Sequence, residues 1–328
     1  MGLRRLTAEH AARTSVVLVG LGLPLVLTGA WWSARSSEST VTLRARVARD
    51  GGWLPAVVRA EVGVPLRLRL ISDDVVHGFA IGRSAAPPID LPPGQVVETT
   101  LEFSEPGTYT YYCTRWCGPD HWRMRGVIEV AGGDPGAATV EPPLYQTLGI
   151  DIDAPHSSDV VPQARPSARR GLALGVTLPA GNRTRQAFIS KPPAETWAAL
   201  RRSESTVGLS DAQVWDLVAS LWRSTTTSEA LKQGGELFAA NCAACHGLDG
   251  TGRGVFAGRP ADEESLAQAE SPADFTDPAR MLGASTALLQ GKILRGGMGT
   301  GMPYWGPIFT EAQTWALADY LWTFQFEE

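Results

Sequence analysis

Cys113-Thr-Arg-Trp-Cys117-Gly-Pro-Asp-His121-Trp-Arg-Met124 is the stretch on which the reading of this chain turns, and an upstream His77 belongs with it. Thiolate and thioether sulfur beside imidazole is a donor set suited to copper. A mononuclear site of that type needs one cysteine, whereas Cys113 and Cys117 bracket a single tight loop. Two thiolates that close can bridge a pair of copper ions. His77 and His121 would cap one ion each, Met124 would be a weak ligand to one, and a backbone carbonyl from inside the loop would serve the other. A core that shares its valence over both metals changes little in geometry on reduction. The same residues also admit a disulfide in an exported chain, or a zinc site of two Cys and two His, which has no use for Met124.

Short β-type runs separated by turn residues surround this stretch, at 40–47, 56–62, 65–71, 96–103, 108–113 and 126–130. Alternation is plain in Leu66-Arg-Leu-Arg-Leu70 and in Val96-Val-Glu-Thr-Thr-Leu-Glu-Phe103. Many short strands with Gly and Pro turns predict an all-β sandwich over residues 35–132.

A second motif, Cys242-Ala-Ala-Cys245-His246, has the spacing of covalent haem attachment. Cys242 and Cys245 would form the thioethers, and His246 would be the proximal iron ligand. The bare Cys-x-x-Cys is also the pattern of a dithiol redox pair, but the adjacent His speaks for haem. The sixth ligand needs a downstream methionine; Met302, followed by Pro303, is the first choice, with Met298 as the alternative and Met281 also available. Helical periodicity over 229–241 and 310–324 places Leu231, Leu237 and Phe238 in one apolar face and Trp315, Leu317, Leu321 and Trp322 in another.

Residues 133–170 are rich in Pro, Ala, Ser and Gly and read as a linker with some docking structure. Beyond them, residues 209–222 align with 309–322, with Ala, Gln, Trp, two Leu and a final Trp identical. Residues 171–224 are therefore expected to be a cytochrome-like remnant; without Cys or Met they should hold no haem. A chance match between amphipathic helices with Ser or Thr N-caps is the competing reading. His156 is expected as a solvated surface residue.

At the N-terminus, Arg4, Arg5 and Arg13 precede an uncharged run at 14–34 that ends near Trp31-Trp32. That run has spanning length, and the arginines would hold residues 1–13 in the cytoplasm. A cleaved signal peptide with Thr28-Gly-Ala30 as its processing site is the alternative. Either way the bulk of the chain is exported. Residues 226–328 carry thirteen acids against six bases, a field that steers basic redox partners and repels nucleic acid.

The copper-type stretch resembles the CuA domain of cytochrome c oxidase subunit II, through Ser72-Asp-Asp-Val-Val-His77-Gly-Phe, Pro106-Gly-Thr-Tyr-Thr-Tyr-Tyr-Cys113 and Met124-Arg-Gly-Val-Ile-Glu-Val130. The resemblance implies a cupredoxin-like fold and a dinuclear CuA held by His77, Cys113, Cys117, His121, Met124 and the carbonyl of Arg115. That family more often has Glu, Gln or Trp where Arg115 stands. A single membrane helix is similar to the B-type oxidases. Residues 225–328 resemble class I cytochromes c, an all-α fold with one covalent haem c.

Together these resemblances imply the electron-input subunit of a haem–copper cytochrome c oxidase, a multidomain protein of the cell membrane with its redox domains on the periplasmic face. Electrons would pass from haem c to CuA and on to subunit I. Implied partners are subunit I, other membrane subunits, and cytochrome c or a quinol–cytochrome c reductase as donor. The chain has five histidines, and only His10 and His156 lie outside the two motifs. The oxygen-reducing site, which needs several, therefore belongs to a partner. The small subunit of a CuA-type nitric oxide reductase and a free-standing membrane-anchored electron carrier are the alternatives.

Overall fold

Leucine and arginine alternate along β4 (Leu66–Ser72), so Leu66, Leu68 and Leu70 face inward while Arg67 and Arg69 face solvent. The computed structural model in which this is seen describes residues 40–118, 120–132, 141–178, 181, 183–257, 271–297 and 302–328. The expected membrane span at 14–34 and the alternative ligand Met298 lie outside the described residues. Among the described residues, no helix is long and apolar enough to cross a membrane.

β4 lies between β1 (Thr40–Ala45), its parallel neighbour, and antiparallel β7 (Val96–Leu101), and β2 (Trp53–Leu54) extends the edge beyond β1. The second sheet runs β3 (Val57–Glu61), β9 (Arg125–Ala131), β8 (Gly107–Tyr112), β5 (His77–Ile81), β6 (Ile89–Leu91). Leu43, Leu68, Leu70, Phe79, Tyr111 and Ile128 fill the space between the sheets. Trp53 meets Phe79 and Tyr111 edge-on at centroid distances of 5.8 and 5.5 Å. Gly126 makes room for this cluster, since a Cβ there would lie 2.2 Å from the Tyr111 ring. The six expected strands are present within a residue or two of their predicted bounds. β5 escaped the periodicity because His77 through Ala80 are all buried and give no alternation. β2 and β6, at two and three residues, are too short to show one.

The helical part begins with α1 (Leu144–Thr147), α2 (Ala168–Ala173), α3 (Arg185–Ile189), α4 (Pro193–Arg201) and α5 (Asp211–Thr225). It continues with α6 (Ser228–Asn241), α7 (Ala243–His246), α8 (Pro278–Met281), α9 (Thr286–Arg295) and α10 (Glu311–Leu321). α5 and α10 both start with a reciprocal capping box, Ser210 with Gln213 and Thr310 with Gln313. Their partners cross them at equivalent points. A Cβ on Gly171 of α2 would lie 2.0 Å from the Asp216 carbonyl, and one on Gly234 of α6 would lie 2.2 Å from that of Ala316. Asp216 and Ala316 occupy the same position when 209–222 is aligned with 309–322.

These two helix pairs share one hydrophobic core, in which Val214, Trp215 and Trp222 pack with Phe238, Leu317, Trp322 and Phe326. Trp222 donates from Nε1 to the Asp319 carbonyl at 3.3 Å and sits 5.7 Å from the Phe326 ring. Residues 141–167 lie along the same body: Arg295 pairs with Asp153, Ser158 N donates to Ala279 O at 2.8 Å, and Glu327 N donates to Pro166 O at 2.8 Å. His156 belongs to this strap and is half-buried, not solvated as expected. Its backbone carbonyl presses on Gly283, where a Cβ would lie 1.9 Å away. Because the core is continuous, Trp222→Ala should destabilise the whole region 141–328 by about 3–5 kcal/mol. Chemical denaturation followed at the haem-type domain checks this; a midpoint that does not move there would mean two independent cores.

Candidate metal centres

The sandwich brings the six copper-type donors together at one end. β5 delivers His77 at its first residue, β8 ends one residue before Cys113, and β9 starts one residue after Met124. Cys113 Sγ and Cys117 Sγ are 3.9 Å apart. Around them stand His77 Nδ1 at 3.7 Å and the Arg115 carbonyl at 3.2 Å from Cys113, and His121 Nδ1 at 3.5 Å and Met124 Sδ at 3.2 Å from Cys117. His77 is fully buried, and Cys113, Cys117 and Met124 are buried with it. No acid stands among these donors, so the set is soft and fits copper rather than a hard cation.

Residues outside the motif fix these donors, and sequence reasoning missed them. His77 Nε2 lies 2.7 Å from Asp74 Oδ1; a carboxylate only accepts, so Nε2 carries the proton and Nδ1 is left free for a metal. Trp53 Nε1 and the Cys113 amide both donate to the Met124 carbonyl, at 3.2 and 3.0 Å. Arg115 forms a two-pronged pair with Asp90 on β6, at 2.7 and 2.6 Å. That pair holds the loop with the Arg115 carbonyl toward Cys113. The i, i+3 spacing of Asp74 and His77 is the one signal available in the sequence; Trp53 and Asp90 are too distant along the chain to give any.

The thiols titrate as a pair. Hydrogen bonding from Cys117 holds Cys113 well below the usual thiol range, against the cost of burial, with His121, His77 and the Gly78 amide assisting. Cys117 is pushed up in turn, first by holding its proton toward Cys113 and then by burial. Burial pulls His77 down, but its bonds to Cys113 and Asp74 outweigh it and hold the imidazole above its ordinary value.

At the other motif, Cys242 caps α6 and α7 carries Cys245 and His246. His246 Nδ1 lies 3.1 Å from the Ala273 carbonyl, which fixes the proton there and leaves Nε2 for iron. Its ring stacks on Phe275 at 4.6 Å. This tautomer, the free thiols of Cys242 and Cys245 and the half-buried Met302 fit a covalent haem. Met281, the last residue of α8, is buried in the core. α10 and the turn after it carry the expected packing face: Leu317, Leu321 and Trp322 are buried, and Trp315 is partly so.

The copper-type loop lies against the haem-type domain. Tyr112, Cys113, His121, Trp122, Met124 and Arg125 line a small cavity whose far wall is Asn241 and Trp305. Trp116, inside the copper-type loop, stacks on Phe256 at 4.0 Å with an interplanar angle of 20°. Both tryptophans flanking the ligands therefore lie at the contact between the two domains.

Residues 55–131 match the family described as cytochrome C oxidase subunit II, periplasmic domain, and residues 231–325 match the family described as cytochrome c. The chain thus joins a subunit II domain to a cytochrome c domain. Cytochrome c oxidase subunit 2 of Thermus thermophilus is 30% identical over 79 residues, 24% of this chain and 58% of that protein. A second Thermus thermophilus cytochrome c oxidase subunit 2 shares 30% identity over 46% of its length. The chain spans about half the length of the curated relatives it matches. Among solved structures, a heme-copper terminal oxidase dimer shows a chain 21% identical at a TM-score of 0.26, covering 37% of this chain and 99% of that one. The periplasmic domain of subunit II of the Bradyrhizobium japonicum cytochrome oxidase is 20% identical at 0.25, covering 28% and 83%.

Two outcomes follow for metal loading. Asp74→Asn should weaken copper binding about 10–100-fold by freeing the His77 ring, read by chelator competition. Loading must displace protons from Cys117 and, below its raised value, from His77, so affinity should fall as pH falls and protons should be released on binding. Equal affinity across that range would contradict the assigned donors.

Proposed function

We propose that this chain is the electron-input subunit, subunit II, of a haem–copper cytochrome c oxidase. His77, Cys113, Cys117, His121, Met124 and the Arg115 carbonyl would hold a dinuclear CuA, and Cys242, Cys245, His246 and Met302 a haem c. The observation that carries this reading is the gathering of all six copper-type donors around the Cys113 and Cys117 sulfurs, with Cys113, His121 and Met124 lining the cavity toward Asn241 and Trp305. When bound, the two groups supply one-electron transfer with little rearrangement.

The chain's own residues prepare that chemistry. Cys113 provides one buried thiolate, and Cys117 would provide a second once a cation displaces its proton. Asp74 and Ala273 select the ring nitrogen that each histidine offers, and Trp53 ties the Met124 backbone to the sandwich. Fusing the two domains replaces a diffusive encounter by an intramolecular one. The reading extends to a membrane-anchored protein whose redox domains lie on the periplasmic side, fed by cytochrome c or a quinol–cytochrome c reductase and joined to subunit I. The equivalent crossings at Gly171 and Gly234 support 171–224 as a second, haem-less cytochrome-like copy that buttresses the first.

The test is oxygen and nitric oxide uptake by the tagged native complex purified in mild detergent. Cyanide-sensitive oxygen consumption is the expected result. Nitric oxide consumption with negligible oxygen uptake would assign the chain to a reductase instead. A chain that purifies alone and consumes neither gas would leave a solitary electron carrier.

A further inference from the structure

The cytochrome region meets the sandwich through one of its own segments, residues 304–308. Arg125, which follows Met124 directly, donates from Nη1 to the Tyr304 carbonyl at 2.7 Å. Its guanidinium lies 5.3 Å from the Tyr304 ring centre and 5.4 Å from that of Trp305. Arg83, in the turn after β5, donates from its amide to the Ile308 carbonyl and from Nε to the Gly306 carbonyl, both at 2.8 Å. Gly82 lets the two chains close, since a Cβ there would lie 2.1 Å from the Pro307 carbonyl.

Three alternate carbonyls of one segment therefore accept from two arginines. The segment is itself pinned to α9, with Trp305 N donating to Ile293 O at 3.1 Å and Gly306 N to Leu294 O at 3.0 Å. Both ends of the latch adjoin ligand positions, Met124 and the strand of His77 on one side and Met302 on the other. Hydrogen bonds from charged donors are stronger than those between neutral groups, whereas domains joined by weak contacts move by default.

Resting on the reading above, we propose that Arg83 and Arg125 are positioning residues that keep the cytochrome region seated over the copper loop. Transfer between the two centres then crosses a standing Trp116–Phe256 contact, not one remade by a swinging domain. In that step one electron leaves the haem side and the copper side is reduced by one; no bond forms or breaks.

The experiment uses the full chain in mild detergent and has two readouts. The first is amide exchange over residues 82–84 and 302–309, which needs no metal. The second is the haem-to-copper transfer rate after rapid haem reduction, measured against solvent viscosity. The wild-type Arg83 amide should be protected and the rate indifferent to viscosity. Arg125→Ala combined with Arg83→Gly, the latter suited to the backbone φ of 61° at that position, should speed exchange in both segments. It should also slow transfer by about tenfold or more, because geometry is no longer held, and make the rate viscosity-dependent. Arg125→Lys keeps the charge but loses the flat fork, and should restore the rate only in part. Rapid exchange at Arg83 in the wild type, or a wild-type rate that falls with viscosity, overturns the proposal, even if the double variant fails to fold. A chain that takes up neither haem nor copper defeats the functional reading instead, and the exchange result still decides the latch.

Discussion

Two cysteine sulfurs held 3.9 Å apart at the dry end of a β-sandwich are the constraint from which the rest of this molecule can be understood. Left to themselves, buried thiols that close repel a second negative charge, so the pair keeps one proton and resists losing it. A soft cation relieves that repulsion. The sandwich is built to hold the sulfurs in place without it: β8 and β9 pair across Tyr112 and Arg125, and the loop between them is closed by the Cys113 amide on the Met124 carbonyl. Trp53, reaching in from β2, adds a second bond to that same carbonyl. Preorganisation of this kind is what a centre that must change charge without changing shape requires.

The candidate ligands could be picked out of the chain because they are chemically rare and closely spaced. Cys113, Cys117, His121 and Met124 sit within one loop, and Cys242, Cys245 and His246 within one turn of helix. What could not be read was whatever depends on distance along the chain. Asp90 meets Arg115 only because β6 lies at the sheet edge beside β5, and Trp53 meets Met124 across 71 positions. β5 hid for a different reason, being buried on both faces. An alternating pattern reports one wet face and one dry face, and a strand with no wet face has none to report.

The helical half shows the same division. Capping boxes at Ser210 and Thr310 and the Trp spacing exposed a repeat, since local signals survive in sequence. That Gly171 and Gly234 cross the two long helices at equivalent carbonyls is visible only in three dimensions. So is the continuous core, which makes the segment before α6 part of the cytochrome region's support. Arg125 illustrates the limit well. In the sequence it is a charge beside a candidate ligand; in the fold its guanidinium lies against Tyr304 and Trp305 and donates to the Tyr304 carbonyl.

The electron-input role proposed for this chain requires that Cys113 and Cys117 together hold a pair of copper ions. Electron paramagnetic resonance of the copper-loaded full chain, with copper and iron determined on the same sample, addresses that most directly. The prediction is a copper pair and a single iron per chain, with hyperfine structure from one unpaired electron shared equally between both copper nuclei. A single copper carrying a localised electron, or zinc in its place, would contradict it.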